Sequence, residues 1–182
     1  MKVIRTILAL SFCILVSACV ESEAPLSPLA PLPPDSPLIG SWMLSDKSET
    51  MFFHVGNEGE TAKILEVELG KDGSIKSENH VASALSHGGN TYLSVQVRSG
   101  DKLLYSLWKY QLSGKNRLTL WPADYKFLES AVSQGLIVGT VNAKAMVQRV
   151  ELSADSDALL VFVGKYSAQV FPKATIKLQR VQ

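Results

Sequence analysis

Side chains that could carry out catalysis are scarce in this chain, which contains only three histidines. His80 and His87 are seven residues apart, a spacing that fits no usual zinc-binding pair, and His54 is farther away. The sequence also lacks a Gly-x-Ser-x-Gly elbow, a His-Glu-x-x-His motif and a phosphate-binding loop. We therefore expect no catalytic residue, no metal site and no cofactor, and we interpret the histidines as ordinary loop or strand-edge residues.

Two pairs of carboxylates have spacings that acid–base chemistry could use. Asp155 and Asp157 precede an apolar stretch, where the capping of a helix start explains both residues without any chemistry. Glu66 and Glu68 are two residues apart and therefore share one face of a strand, and we expect that face to be solvated. An enzyme is accordingly the least supported class of function.

The cysteine at position 19 indicates a different kind of chemistry. Lys2 and Arg5 are followed by the mostly apolar run ILALSFCILV, which is shorter than the roughly 20 residues that a membrane-spanning helix needs. A charged start, a short apolar run and small residues before a cleavage site are the parts of a secretory signal peptide. The cleavage sequence VSAC, which ends at Cys19, resembles the lipobox of bacterial lipoproteins.

This resemblance implies that residues 1–18 are removed and that Cys19 becomes an acylated N-terminal residue in the bacterial cell envelope. Each buried CH₂ contributes about 0.8 kcal/mol, so two or more acyl chains hold a protein firmly in a membrane. Val20 stands where inner-membrane lipoproteins of enteric bacteria carry Asp. In a Gram-negative envelope the expected location is therefore the outer membrane, facing the periplasm. The alternative is an ordinary secreted protein with a chance cysteine at this position.

A proline-rich stretch follows, with six of the eight prolines lying between Ala24 and Leu38. Proline fixes φ and lacks an N–H donor, so neither a helix nor a central strand is expected there. An extended polyproline II chain rises about 3.1 Å per residue, and Val20 to Pro37 could therefore reach roughly 50 Å. We interpret residues 19–37 as the lipidated cysteine and a tether, and residues 38–182 as one globular domain.

Charge and cysteine content narrow the partners of the mature chain. Without Lys2 and Arg5, 16 basic residues remain against 17 acidic ones, with no basic block, which argues against nucleic acid binding. The sequence contains two cysteines, and Cys13 leaves with the signal peptide while Cys19 is lipidated. The domain would therefore contain no disulfide, and its core must provide its stability.

The periodicity of apolar residues predicts mostly strands. TYLSVQV (Thr91–Val97), LLYSLWKYQL (Leu103–Leu112) and RLTLW (Arg117–Trp121) alternate and are separated by short turns that contain Gly, Asn or Asp, as in hairpins. Further strands are expected within IGSWMLSD, MFFHV, KILEVELG, VQRVEL and TIKLQRV. Helical spacing appears in Ala123–Gly135 and in Ser153–Tyr166. The predicted fold is α+β and mainly antiparallel β, a barrel or strongly curled sheet with two short helices inserted before the last strands.

The beginning of this domain, Gly40-Ser41-Trp42, resembles the lipocalin family, whose first strand carries Gly-x-Trp. In that family an arginine near the end of the barrel covers the tryptophan, and Arg180 in LQRV is the matching residue. The resemblance implies a lipocalin-like barrel closed by Trp42 and Arg180. The chain departs from the family pattern because both predicted helices precede the last strand, whereas lipocalins place their helix after the barrel.

A set of aromatic and apolar side chains could line such a barrel. Trp108 and Tyr110 share one face of their strand, and the preceding strand offers Leu93, Val95 and Val97 as a matching face. A barrel of about eight strands can hold one small ligand, although the same rings could simply fill the core. The first hypothesis is therefore a non-catalytic envelope lipoprotein that binds a lipid or other apolar molecule. The alternative is an interaction protein that docks to another envelope component.

Overall fold

The computed structural model describes residues 20–45, 50–142, 148–173 and 176–181. From Gly40 onward strands follow one another up to residue 122, and the helices lie between there and the last strand. The elements in chain order are β1 (Val20–Ser22), β2 (Gly40–Ser45), β3 (Thr50–Glu58), β4 (Thr61–Leu69), β5 (Ile75–His87), β6 (Asn90–Ser99), β7 (Lys102–Ser113), β8 (Arg117–Pro122), α1 (Tyr125–Ser133), β9 (Gly139–Asn142), β10 (Arg149–Leu152), α2 (Ser156–Lys165), α3 (Ser167–Val170) and β11 (Ile176–Arg180).

Eight of the described strands close into an antiparallel barrel, in the order β2-β3-β4-β5-β6-β7-β8-β11 and back to β2. Neighbours in this order are consecutive in the chain except at β11, which returns after the helices to pair with both β8 and β2. This architecture confirms the predicted mainly antiparallel α+β barrel. The two predicted helices are α1 and α2, and the single turn α3 follows α2 directly.

Alternation along the strands divides the apolar side chains into two clusters. One cluster fills the barrel, with Trp42, Phe53, Val95 and Trp108 among its members. The other lies outside the barrel, where the outward-facing side of β6 and β7, including Tyr105, packs against the helices and a small second sheet. This second sheet is β1-β10-β9, and it joins the barrel where β1 pairs with the first half of β7.

The proline-rich stretch is part of this folded body, which corrects the tether expected for residues 19–37 and the domain start at Leu38. Val20 is fully buried in β1, and Leu26 and Leu32 are buried in the outer and inner clusters respectively. Two backbone amides of the stretch are hydrogen-bonded to barrel side chains. Leu26 N donates to Ser94 Oγ at 2.9 Å, and Leu32 N donates to the side-chain oxygen of Asn57 at 2.8 Å. Prolines exclude a regular ladder, but the leucines between them still bury apolar surface.

The barrel wall divides at one end. β5 and β6 pair only from Ala82 and Val95 to the turn between them, so the first half of β5 pairs with β4 alone. β8 and β11 also stop short of this end, because Pro122 pairs with Trp108. Residues from Ile75 to Val81 therefore lie at a split in the wall. The opposite end is covered by the stretch from Leu32 to Leu38, and we call this stretch the strap.

Candidate functional site

The interior of the barrel is nearly filled by its own side chains. Trp42 is fully buried, Trp108 is 2 % exposed, and the Trp108 indole N–H donates to Ser106 Oγ at 2.9 Å. The remaining cavity is about 50 Å³ and is lined by apolar side chains and by His80. Sites for drug-sized ligands measure about 300–1,000 Å³, and even benzene needs a cavity of about 150 Å³. This interior therefore has no room for an acyl chain.

The five residues proposed as a ligand pocket occupy different environments. All five lie at the alternate strand positions whose side chains face the barrel interior, and Leu93 of β6 pairs with Trp108 of β7. Leu93, Val95 and Trp108 line the small cavity. Val97 lies farther along β6, toward the split, and Tyr110 lies at the rim beside the strap. The structure thus brings three of them around one void and leaves the other two outside it.

Trp42 and Arg180 meet at the strap end of the barrel. The guanidinium carbon of Arg180 lies 4.3 Å from the centre of the Trp42 ring, a cation–π contact worth about 0.5–2 kcal/mol. Arg180 also donates to the carbonyl oxygens of Ile39 and Lys115, each at 2.8 Å. A third bond, to the carbonyl oxygen of Pro37, ties Arg180 to the strap. A Cβ at Gly40 would lie 2.3 Å from an Arg180 nitrogen, and this residue has a φ of +133°. The glycine of Gly-x-Trp is therefore required by the arginine.

Glu66 and His80 form a buried pair inside the barrel near the split. Their side chains are 2 % and 5 % exposed, and His80 Nε2 lies 3.6 Å from Glu66 Oε2. Within the described residues, neither carboxylate oxygen of Glu66 has a hydrogen-bond partner. His80 Nδ1 is 3.3 Å from the carbonyl oxygen of Gln96, so this side chain spans the split between β5 and β6. The expectations of a solvated Glu66 and of a loop or strand-edge His80 are therefore wrong.

The charge of this pair depends on pH. The Glu66 carboxylate raises the pKa of His80 above its usual value of 6.5, burial opposes that rise, and the Glu78 carboxylate adds to it. A buried ion pair gains Coulomb energy but loses the hydration of both ions, so its net contribution depends on geometry. In its protonated form, His80 places its charge beside a buried carboxylate.

The sequence does not predict the Glu66–His80 pair, because both faces of β4 carry apolar residues at alternate positions. Leu65, Val67 and Leu69 predict that the even-numbered residues face solvent, whereas Ala62 and Ile64 are the residues that face the barrel core. A carboxylate two residues out of register with a histidine on the next strand, and therefore its diagonal neighbour on the same face, is the signal that could have revealed it. Glu66 pairs with Glu78, and His80 pairs with Ile64.

The remaining candidates are separate from this pair. His87 is exposed, and an odd separation from His80 along β5 puts the two rings on opposite faces. Asp155 caps α2 by accepting from Ala158 N at 2.8 Å, and Asp157 lies in the first turn, as the capping interpretation predicts. Among the residues that the structure describes, no group of three or more His, Cys, Asp or Glu is arranged to hold a metal ion.

The membrane signals lie mostly beyond the described ranges. Cys19 and the predicted signal peptide, residues 1–18, are outside them. In the part of the chain that is described, no helix has the length and the apolar character needed to cross a membrane. The first described residue is Val20, so the covalent neighbour of Cys19 has a known position.

Two surface regions remain as binding candidates. One is a groove of about 680 Å³ between the strap and the rim of the barrel, which includes Pro33, Tyr110 and Leu112, and burial there raises the pKa of the Tyr110 phenol. The other is the outer surface of β2 to β5, which we call the open wall. Its outward-facing apolar side chains are half-buried or exposed and include Met43, Phe52, Leu65, Val67, Leu69 and Ile75.

Comparison of the chain with protein-family models, with curated proteins and with solved structures finds no match. Function must therefore be argued from the barrel, its surfaces and the sequence before Val20.

Proposed function

We propose that this protein is a lipid-anchored, non-catalytic envelope protein whose barrel docks to another envelope protein through the open wall. The observation that carries the proposal is the filled interior. A cavity of about 50 Å³ is too small for an acyl chain, so binding at the outside surface is favoured over transport inside the barrel.

The open wall has the character of a docking surface. Met43 pairs with Phe52, and Phe52 with Val67, so three apolar side chains form a row across neighbouring strands. Leu69 and Ile75 pair next to them and are 37 % and 70 % exposed. Monomeric proteins rarely leave large contiguous apolar patches in water, and such patches commonly mark interaction sites.

The position of the wall indicates what kind of partner it meets. β3 is four strands from β7 in the ring of eight, so the open wall lies opposite the side where β1 joins the barrel. If Cys19 is acylated, the lipid attaches directly before β1. The open wall then points away from the anchor, toward a partner in the aqueous compartment, and we propose that this partner is a protein.

A matched pair of double variants tests the docking surface. Leu69→Ser with Ile75→Ser removes two exposed apolar side chains from the open wall. Leu103→Ser with Val161→Ser removes two of similar exposure, 51 % and 68 %, from elsewhere on the surface. In gently solubilised envelopes of the native host, we expect the wild type and the control to migrate as a larger complex and the wall variant to migrate alone. Migration of the wild type at its own mass, or equal loss in both variants, would contradict docking through this wall.

A second function is favoured by the groove beside the strap. Its volume of about 680 Å³ lies within the range of small-molecule sites, and its lining combines apolar side chains with Thr91 and Gln111. This groove could hold one amphipathic molecule. The ligand would then bind at the rim of the barrel and not in its interior. Native mass spectrometry of protein purified from its host would reveal the ligand as a stoichiometric mass increment. A Tyr110→Ala variant should lose that increment, and a mass equal to that of the bare acylated chain would contradict this function.

A further inference from the structure

We infer that the folded body lies directly on the bilayer surface, with the side that carries β1, β9 and β10 facing the lipid headgroups. The inference rests on the proposed acylation of Cys19. It goes beyond that proposal, because a lipid anchor alone allows any distance between membrane and barrel.

The distance follows from the burial of the residue after the cysteine. Val20 is fully buried and pairs with Val150 of β10, and Ser22 is fully buried and pairs with Leu152. One peptide unit spans 3.8 Å between Cα atoms, so the acylated residue is about that far from a core residue. A free tether from Val20 to Pro37 would instead allow roughly 50 Å.

Several independent contacts keep this segment from detaching. Glu23 N donates to the Leu152 carbonyl oxygen at 2.8 Å, and Ser156 Oγ donates to the Pro25 carbonyl oxygen at 2.7 Å. Leu26 is 1 % exposed, and Ala62 N donates to the Ala30 carbonyl oxygen at 3.2 Å. Release of the segment would expose these apolar side chains and break these hydrogen bonds together.

The charges around β1 indicate how this side meets the membrane. Arg149 pairs with Glu21 at 3.5 Å, and Lys102 pairs with Glu23 at 3.7 Å and with Glu151. Two cations thus face three carboxylates. Electrostatic attraction between this surface and anionic headgroups would therefore be weak. Basic clusters are what attract proteins to anionic lipids. The covalent anchor, and not headgroup charge, therefore sets the contact.

A single engineered cysteine can report the contact, because the mature chain contains only the acylated Cys19. Gln148 is exposed and lies two residues before Val150, the register partner of Val20, so Gln148→Cys places a fluorophore beside the anchor. Glu60→Cys, in the exposed turn between β3 and β4, places the same fluorophore across the barrel. Acylated proteins are reconstituted into vesicles of phosphatidylethanolamine with spin-labelled headgroups, with or without phosphatidylglycerol.

We expect strong quenching at position 148, little at position 60, and no change on adding phosphatidylglycerol or salt. Inserting 12 Gly and Ser residues between Cys19 and Val20 adds a mean reach of about 20 Å and should relieve the quenching at position 148. An acylated chain whose label at position 148 is unquenched, or equally quenched at both positions, would overturn this inference alone. A mature chain that mass spectrometry shows to be without acyl groups would overturn the lipid anchor as well.

Discussion

The two sides of the barrel have similar strands and opposite surroundings. Outward-facing residues of β6 and β7, such as Tyr92 and Leu107, are buried beneath the helices and the small second sheet. Outward-facing residues of β2 to β5, such as Phe52 and Val67, remain half-buried or exposed. The covering layer is built from both ends of the chain, since β1 precedes the barrel and the helices precede its last strand. One side of the barrel therefore packs against other segments of the chain, whereas the other side presents an accessible apolar surface.

The largest expected effect comes from removing the N-terminal part of the covering layer. A variant that starts at Leu38 lacks Val20, Leu26 and Leu32, and each buried apolar side chain of this kind contributes about 1.5–3 kcal/mol. Their sum approaches the whole stability of a typical domain, about 5–15 kcal/mol. We expect this variant to lose cooperative urea unfolding, while a variant starting at Val20 retains it. Equal unfolding midpoints for the two would show that the covering layer is dispensable.

The second-largest effect is expected from breaking the buried pair of Glu66 and His80, on the inner face of the strands that carry the open wall. His80→Ala leaves the Glu66 charge buried without its partner, which costs about 3–5 kcal/mol for buried pairs. Replacing both residues with leucine removes the unpaired charge and should recover most of that loss. Urea titrations of the two variants measure the difference. If the double variant is no more stable than His80→Ala, the ion pair does not explain the loss.

The same substitution on the covered side and on the open wall should lower the free energy of unfolding by smaller and unequal amounts. Val150→Thr puts a hydroxyl into the fully buried side, where a buried polar group without a partner costs about 1–3 kcal/mol. Val67→Thr makes the same change on the open wall, where water can solvate the hydroxyl and the effect should stay within about 0.5 kcal/mol. Thermal or urea unfolding compares them. Similar losses would mean that the open wall is covered in solution.

The smallest effect concerns pH. The folded-state pKa of His80 is raised above 6.5, so the protonated ring favours the folded state. Its contribution is fully present below pH 6.5 and is lost as the pH rises through the folded-state value. The free energy of unfolding should therefore fall over this interval in the wild type relative to the double leucine variant. Parallel pH profiles for the two proteins would show that protonation of His80 does not contribute to the stability.

Strand and helix positions could be predicted because most elements keep a clean period. The hairpin of β6 and β7 alternates with Leu93, Val95 and Trp108 inside, and the register between these strands follows from that alternation. The sequence does not predict β5, because after Ile75 its first half is polar on both faces, from Lys76 to His80. Glu66 was misassigned because apolar residues occupy both faces of β4, and only the closed barrel decides which face is interior.

The proline-rich stretch differs from the predicted tether for another physical reason. Proline content correctly excludes helices and central strands, but it does not exclude packing. Leu26, Leu29 and Leu32 recur every three residues, which is the period of a polyproline II helix, so such a chain presents them along one edge. Leu26 and Leu32 are buried, and Leu29 packs against the outer cluster. A threefold leucine spacing is therefore the signal that separates a packed proline-rich segment from a free spacer.

Hydrogen exchange of the acylated protein in vesicles tests most directly whether residues 20–37 belong to the folded body. The amides of Leu26, Leu32 and Ala62 donate to Ser94, Asn57 and Ala30, and these bonds exist only when the strap and the segment before it lie on the barrel. These amides should exchange as slowly as neighbouring barrel amides. Exchange of the 20–37 segment at the rate of an unstructured chain, beside a protected barrel, would show that these residues do not belong to the folded body.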